Sequence, residues 1–173
     1  MSRTLAETYY LKAQDAYPLN LAGTFEALNY ALSYDDEHIQ SNLMMAEIQV
    51  DYMNNPVAAE EYYHAALSAG TDNFDVFKNY SQFLFDQGRL EEAEKVNEYA
   101  AKLQGVDLSC VIRMRGLIAE KRFAYRKAKR LLESAFCHTY NDDYYSLLRM
   151  DIKRVKHKIL FYKNQKKRIK NEK

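Results

Sequence analysis

Residues 74–107 read FDVFKNYSQFLFDQGRLEEAEKVNEYAAKLQGVD. Phe77, Tyr80, Leu84 and Phe85 recur at three- and four-residue spacing, which predicts an amphipathic helix from Phe74 to Gln87. Gly88 ends it, as a residue free of the steric penalty at positive φ does. A second stripe starts at once. Leu90, Ala93, Val96, Tyr99 or Ala100, and Leu103 carry a helix toward Gly105, and Glu91, Glu92 and Glu94 stand near its start, where they complement the helix dipole. The stretch spells one helix, a tight turn and a second helix.

That spelling recurs along the chain. Ala31, Ala66, Ala100 and Ala135 are separated by 35, 34 and 35 residues, and Ala59, Ala93 and Ala128 by 34 and 35. A helix hairpin of this length cannot bury its apolar face alone, so the period predicts an all-α solenoid of stacked helix-turn-helix units. Composition agrees: five glycines and two prolines leave little turn chemistry for β-hairpins. With 173 residues, 47% of them hydrophobic, the chain can build one well-buried domain.

The 74–107 segment resembles a tetratricopeptide repeat, with aromatic Phe77 at the fourth position, Gly88 at the fifteenth, Ala93 at the twentieth and Ala100 at the twenty-seventh. The resemblance implies a right-handed superhelix in which small residues at positions eight, twenty and twenty-seven let helix backbones approach closely. Carried back, the register gives a unit at 40–73, with Leu43 at four, Ala59 at twenty and Ala66 at twenty-seven. Its turn is Asn54-Asn55-Pro56, and Pro56 suits the first turn of a helix. Glu47 then falls on the usually small eighth position. Carried forward, the register gives 109–142, with Ile112 at four, Gly116 at eight, Ala128 at twenty and Ala135 at twenty-seven. Residues 5–37 read as a degenerate first unit: its second helix, Thr24 to Tyr34, lines up through Ala31, but its first helix has no clean register. Four units thus cover about 5–141.

Residues 142–173 are expected to form a long C-terminal capping helix with a basic tail. Tyr145, Leu148, Ile152, Val155, Ile159 and Tyr162 alternate at spacings of three and four, the narrow seam of a helix lying along one neighbour. A helix of that length spans roughly 48 Å against roughly 21 Å for a repeat helix, so about half is expected to overhang.

Net charge +1 hides a strong asymmetry. Residues 1–109 hold 6 Lys/Arg against 18 Asp/Glu, and residues 110–173 hold 19 against 6. If the units stack in order, the front is acidic and the rear basic.

No catalytic constellation emerges. His38, His64, His138 and His157 fall on different units with no metal-ligand spacing, and read as solvated or capping residues. There is no glycine-rich phosphate loop, nucleophile elbow or HExxH. A non-enzymatic protein without metal or cofactor is expected. The cysteines, Cys110 and Cys137, read as buried free thiols. The pairs Glu60-Glu61, Glu91-Glu92 and Asp142-Asp143 are expected in first turns of helices. Because the N-terminus lacks a basic region followed by an apolar core, and no stretch approaches ~18 apolar residues, a cytoplasmic protein without a membrane span is expected.

The resemblance implies that partners bind a concave face lined by first-helix positions two, five, nine, twelve and thirteen. In this register those positions yield the candidate peptide groove Met44, Ile48, Tyr52, Lys78, Gln82, Phe85, Arg113, Leu117 and Lys121, together with Asp51, Asp75, Asp86, Cys110 and Glu120. Tyr52 and Phe85 also fit core packing, the commoner fate of aromatics at helical spacing. The family's carboxylate clamp for chaperone tails needs Lys and Asn at set places in successive repeats. Only Lys78 meets it, so that function is not carried over. The expected function is a protein-interaction module, a scaffold or chaperone-like adaptor that docks a partner's peptide. A second reading is nucleic-acid or anionic-surface binding through Lys163, Lys166, Lys167, Arg168 and Lys170. A third is weak self-association, acidic front to basic rear or seam to seam.

Overall fold

A computed structural model describes the backbone of residues 3–171 and the side chains of residues 3–165. Its regular elements are all helical: α1 (Leu5–Ala16), α2 (Leu21–Tyr34), α3 (Ile39–Asp51), α4 (Pro56–Ala69), α5 (Phe74–Asp86), α6 (Leu90–Ala100), α7 (Leu108–Lys121), α8 (Tyr125–Phe136) and α9 (Asp142–Asn171). Short polar side chains start several of them by accepting a free backbone N–H of the first turn. Thr4 accepts from Glu7, Asn20 from Gly23, and Asn55 from Ala58, at 3.1, 3.0 and 3.2 Å. His38 caps α3, so the reading of a capping histidine holds there.

The chain divides into two units, residues 1–79 and 80–173, with the division inside α5. In the first, α1 packs on α2, α2 on α3, and α3 on α4. Its core joins Ala13, Ala27, Leu28, Met45 and Ile48. Fully buried Thr24, Ala46, Ala59 and Ala66 keep side-chain bulk away from the helix contacts. In the second unit α6 packs on α7, α7 on α8, and α8 on α9. A Cβ added at Gly116 of α7 would stand 2.9 Å from Cγ of buried Leu132 on α8, which is why the eighth position carries no side chain there.

Buried polar groups add ties that the apolar pattern does not announce. Ser81 Oγ donates to the Ala93 carbonyl at 3.2 Å, Ser109 Oγ to that of Ala135 at 2.9 Å, and Asn97 Nδ2 to that of Val111 at 3.1 Å. Each pairs a group whose burial without a partner would be costly.

The repeat also appears in the backbone of its turns. Asn54, Gly88 and Phe123 all lie in the left-handed region, with φ of 48, 76 and 60°. Bulky Phe123 takes the place of the turn glycine, unfavourably for a residue with a Cβ, and the residue is 73% exposed.

Several sequence expectations need correction. α6 ends at Ala100, so Leu103 belongs to the turns that follow. Cys137 is exposed and Cys110 half-buried, so the thiols are not a buried pair. Glu60 and Glu61 sit past the first turn of α4, which starts at Pro56. The register of 40–73 slips by one, because four residues (52–55) join α3 to α4 where three join α5 to α6 and three join α7 to α8. The longer turn puts Ala46, not Glu47, at the small eighth position, and Ala46 is fully buried while Glu47 is exposed.

The capping helix is longer in contact than expected. Leu148, Ile152 and Val155 of α9 join Ala128, Leu132 and Ala135 of α8 in one core cluster. Contacts run from Tyr145, whose ring centroid is 3.8 Å from that of Phe136, to Tyr162, which stacks on Tyr125 at 5.3 Å. That interval is about 26 Å of helix, so packing continues past the midpoint of α9, and residues 163–165 beyond it are exposed.

Candidate functional site

The one-residue slip turns a different edge of α3 outward. Leu43, Met44 and Glu47 line a groove of about 450 Å³ in the first unit, with Tyr10, Gln14 and Tyr17 from the α1 side and Asp75, Lys78 and Asn79 from α5. The walls come from the first helices of three successive hairpins. Of the residues expected there, Met44 and Lys78 line this groove. Ile48 does not: its side chain is buried in the core beside Met45, because the slip rotates position forty-eight inward. Tyr52 stands behind Tyr17, and its hydroxyl donates to the Tyr17 hydroxyl at 3.4 Å.

The groove is polar and tilts acidic. Lys78 Nζ holds the Asp75 carboxylate at 2.7 Å, and Gln14 Nε2 donates to the Tyr10 hydroxyl at 2.9 Å. Glu47 opens onto the groove, yet loss of surrounding water and the nearby Asp51 charge push its carboxyl above the usual carboxylate range, with Lys78 acting the other way. Burial, Glu7 and Glu47 raise the Tyr10 hydroxyl in the same sense. An incoming cation would favour the ionised Glu47 carboxylate, while the Tyr10 hydroxyl stays neutral.

In the second unit the face expected to form a groove is filled by the chain itself. Arg113 Nε of α7 donates to Asp151 Oδ2 of α9 at 2.7 Å. Arg154 of α9 forks onto Glu120 of α7, at 2.9 and 2.6 Å, and also reaches Asp151 at 2.6 Å, while Lys158 adds a 2.8 Å bond to Glu120. Glu120 and Asp151 are 6% and 2% exposed, so these are buried carboxylates held by a cation network. Burial alone would push the Glu120 carboxyl up, but bonds and charges from Arg154 and Lys158 bring it below its ordinary value. Leu117 and Phe85 are buried as well, and Lys121 lies 5.3 Å from the Phe85 ring centroid. Gln82 donates to Asp86 at 2.9 Å. Of the expected groove residues, Phe85, Arg113 and Leu117 therefore serve packing and the α7–α9 network.

The expected basic patch is described only in part. Lys163 is exposed; the side chains of Lys166, Lys167, Arg168 and Lys170 lie outside the described residues. Among the described residues there is no cluster of three or more His, Cys, Asp or Glu placed to hold a metal, and no helix long and apolar enough to cross a membrane.

Helix hairpins, alanines at the contacts, turns repeated in the left-handed region and a solvating end helix together define the architecture, and solved structures resemble it in overall fold. The chain matches the structure of PilF from Pseudomonas aeruginosa with a TM-score of 0.77 and 22% identity, covering 91% of this chain and 70% of that one. It matches the crystal structure of PilW, a widely conserved type IV pilus biogenesis factor, with a TM-score of 0.70 and 19% identity, covering 79% of this chain and 63% of that one. The fold is that of tetratricopeptide-repeat proteins. At these identities the likeness is one of fold. No protein-family model matches the sequence, and no curated protein does.

Proposed function

We propose that the protein is a tetratricopeptide-type interaction scaffold whose first unit docks an extended, cationic peptide segment of a partner protein. The observation that supports this reading is the groove between α1, α3 and α5, which the described residues of its own unit line but do not fill. Its chemistry favours cations. Residues 1–79 carry 3 Lys/Arg against 12 Asp/Glu, and Glu47 is held where its negative charge is poorly solvated. A Lys or Arg side chain placed beside Glu47 gains a charge-assisted hydrogen bond and relieves that cost at once. Leu43 and the Tyr10 and Tyr17 rings supply apolar contact at small loss of side-chain freedom. Nothing in this binding requires catalysis or a cofactor. The fold neighbour PilW, a type IV pilus biogenesis factor, is consistent with a role as an assembly adaptor in general.

Paired extended peptides that differ only in Lys/Arg against Glu, measured by fluorescence anisotropy with hydrogen exchange on the complex, test this. The cationic peptide should bind, protect amides of α1, α3 and α5, and lose at least about tenfold in affinity on Glu47→Lys. Protection confined to other helices, or equal affinity for the variant, would remove the groove from consideration.

A further inference from the structure

The second unit presents another recess, on the side where α8 and α9 run beside each other. Two adjoining hollows share Lys156. One, of about 520 Å³, has Ile159 as its apolar wall and Arg126, Lys129 and Arg130 around it. The other, of about 660 Å³, has Phe136 and Ile152 as apolar wall with Lys153 and His157 at its edge. Residues 80–173 carry 22 Lys/Arg against 12 Asp/Glu, so the recess belongs to the basic unit.

The rim is only partly neutralised. Glu133, between the hollows, lies 3.5 Å from Lys129 and 3.6 Å from Lys156. Both contacts are long and solvent-accessible, and pairs of that kind contribute little. Arg126, Arg130 and Lys153 have no ion-pair partner among the described residues. The result is an apolar floor flanked by cations, with one carboxylate showing which ligand chemistry the rim accepts.

We propose that this α8–α9 recess is a second docking surface, and that its occupant is an acidic amphipathic segment of a partner protein, with aliphatic side chains on the floor and carboxylates on the cationic rim. A bilayer surface is too flat to reach a recessed floor. Nucleic acid would meet the rim through its phosphates, but the aromatic ring in the lining, Phe136, is already packed against Tyr145 at 3.8 Å between centroids and the rest of the apolar wall, Ile152 and Ile159, offers no ring to stack on. A peptide carrying Leu or Ile on one face and Glu or Asp beside them satisfies floor and rim together. The surface uses residues separate from the α1–α3–α5 groove, so either can fail without the other.

The test uses the full chain and four labelled probes: a roughly 20-residue helical peptide with Leu along one face and Glu elsewhere, the same peptide with every Leu replaced by Ser, an oligo-dT strand, and phosphatidylserine vesicles. The Leu/Glu peptide should bind at least about tenfold tighter than its Ser counterpart, and Arg130→Glu with Lys153→Glu should cost at least about another tenfold. Because neither residue has an ion-pair partner, the melting temperature of the double variant should match that of the parent, which separates lost binding from lost folding. Equal binding of the two peptides reduces the recess to bare charge and overturns the proposal. Tighter binding of the oligonucleotide or vesicles overturns it in favour of those surfaces, as does an unchanged affinity in the double variant.

Discussion

Glu47 on α3, which the repeat register put at the small eighth position, and Glu120 on α7, which it put in the groove, both stand on first helices of repeats, yet their surroundings act on them in opposite directions. Glu47 faces an unfilled groove, and loss of water together with Asp51 raises its carboxyl pKa. Glu120 is covered by α9, whose Arg154 and Lys158 bring its carboxyl below the usual range despite burial. One repeat face remains available to a partner, and the other has received one from its own chain. A long end helix thus does more than shield apolar surface: its side chains occupy the face of α7 where the repeat register put a groove.

The largest effect should come from removing that helix. A chain ending at Asn141 loses Leu148, Ile152 and Val155 from the second core cluster and leaves Glu120 without its cations. We expect loss of the cooperative transition of the second unit and reduced solubility, read by thermal melts and sedimentation. A truncated chain melting like its parent would show that α9 is an accessory and end the comparison.

A smaller but still large effect is expected from Arg113→Met. It leaves Asp151, almost fully buried, with Arg154 as its remaining partner. Asp151 then keeps one of its two cations while staying buried, so only part of the cost of an uncompensated buried charge is incurred, and about 2 kcal/mol of destabilisation is expected in urea unfolding. The companion change at Lys78, whose Asp75 partner is exposed, should cost roughly 0–1 kcal/mol.

Neighbouring positions on α3 test the register itself. Ala46→Leu forces bulk into a fully buried helix contact and should destabilise by about 1–3 kcal/mol. Glu47→Leu, facing the groove, should change stability little. The reverse order would restore the register with Glu47 at the small position and close the proposed groove.

The smallest effect separates the two carboxylates by pH. A raised folded-state pKa means that ionised Glu47 is penalised in the native state, so Glu47→Gln should stabilise slightly at neutral pH. That gain should disappear as pH falls through the folded pKa of Glu47 and the parent becomes protonated. Glu120 has a lowered folded-state pKa, so its contribution is present above the unfolded carboxylate range and is lost as pH falls through its folded pKa. Urea midpoints of the parent, Glu47→Gln and Glu120→Gln at pH 7 and about pH 4 should therefore move in opposite senses.

By itself the sequence determined the all-α repeat, because spacing between apolar and small residues is a local property that one chain displays directly. Ala59, Ala66, Ala93, Ala100, Ala128 and Ala135 were legible at their intervals, and each is buried. So was the seam of α9. The groove was legible only in outline. Position counting assumes equal turns, and one extra residue between α3 and α4 moved Ile48 into the core and Glu47 onto the surface. Tyr10, Gln14 and Tyr17 carry no repeat signal, since the first hairpin departs from the pattern. Tertiary structure alone decided that Arg113 and Glu120 are spent within the chain. Their partners, Asp151, Arg154 and Lys158, lie 34 to 38 residues away, and only the packing of α9 against the last hairpin brings them within hydrogen-bonding distance. Periodicity reports which residues turn inward on one helix; which charges meet across two helices depends on the registry between them, and that is fixed by core packing rather than by local spacing.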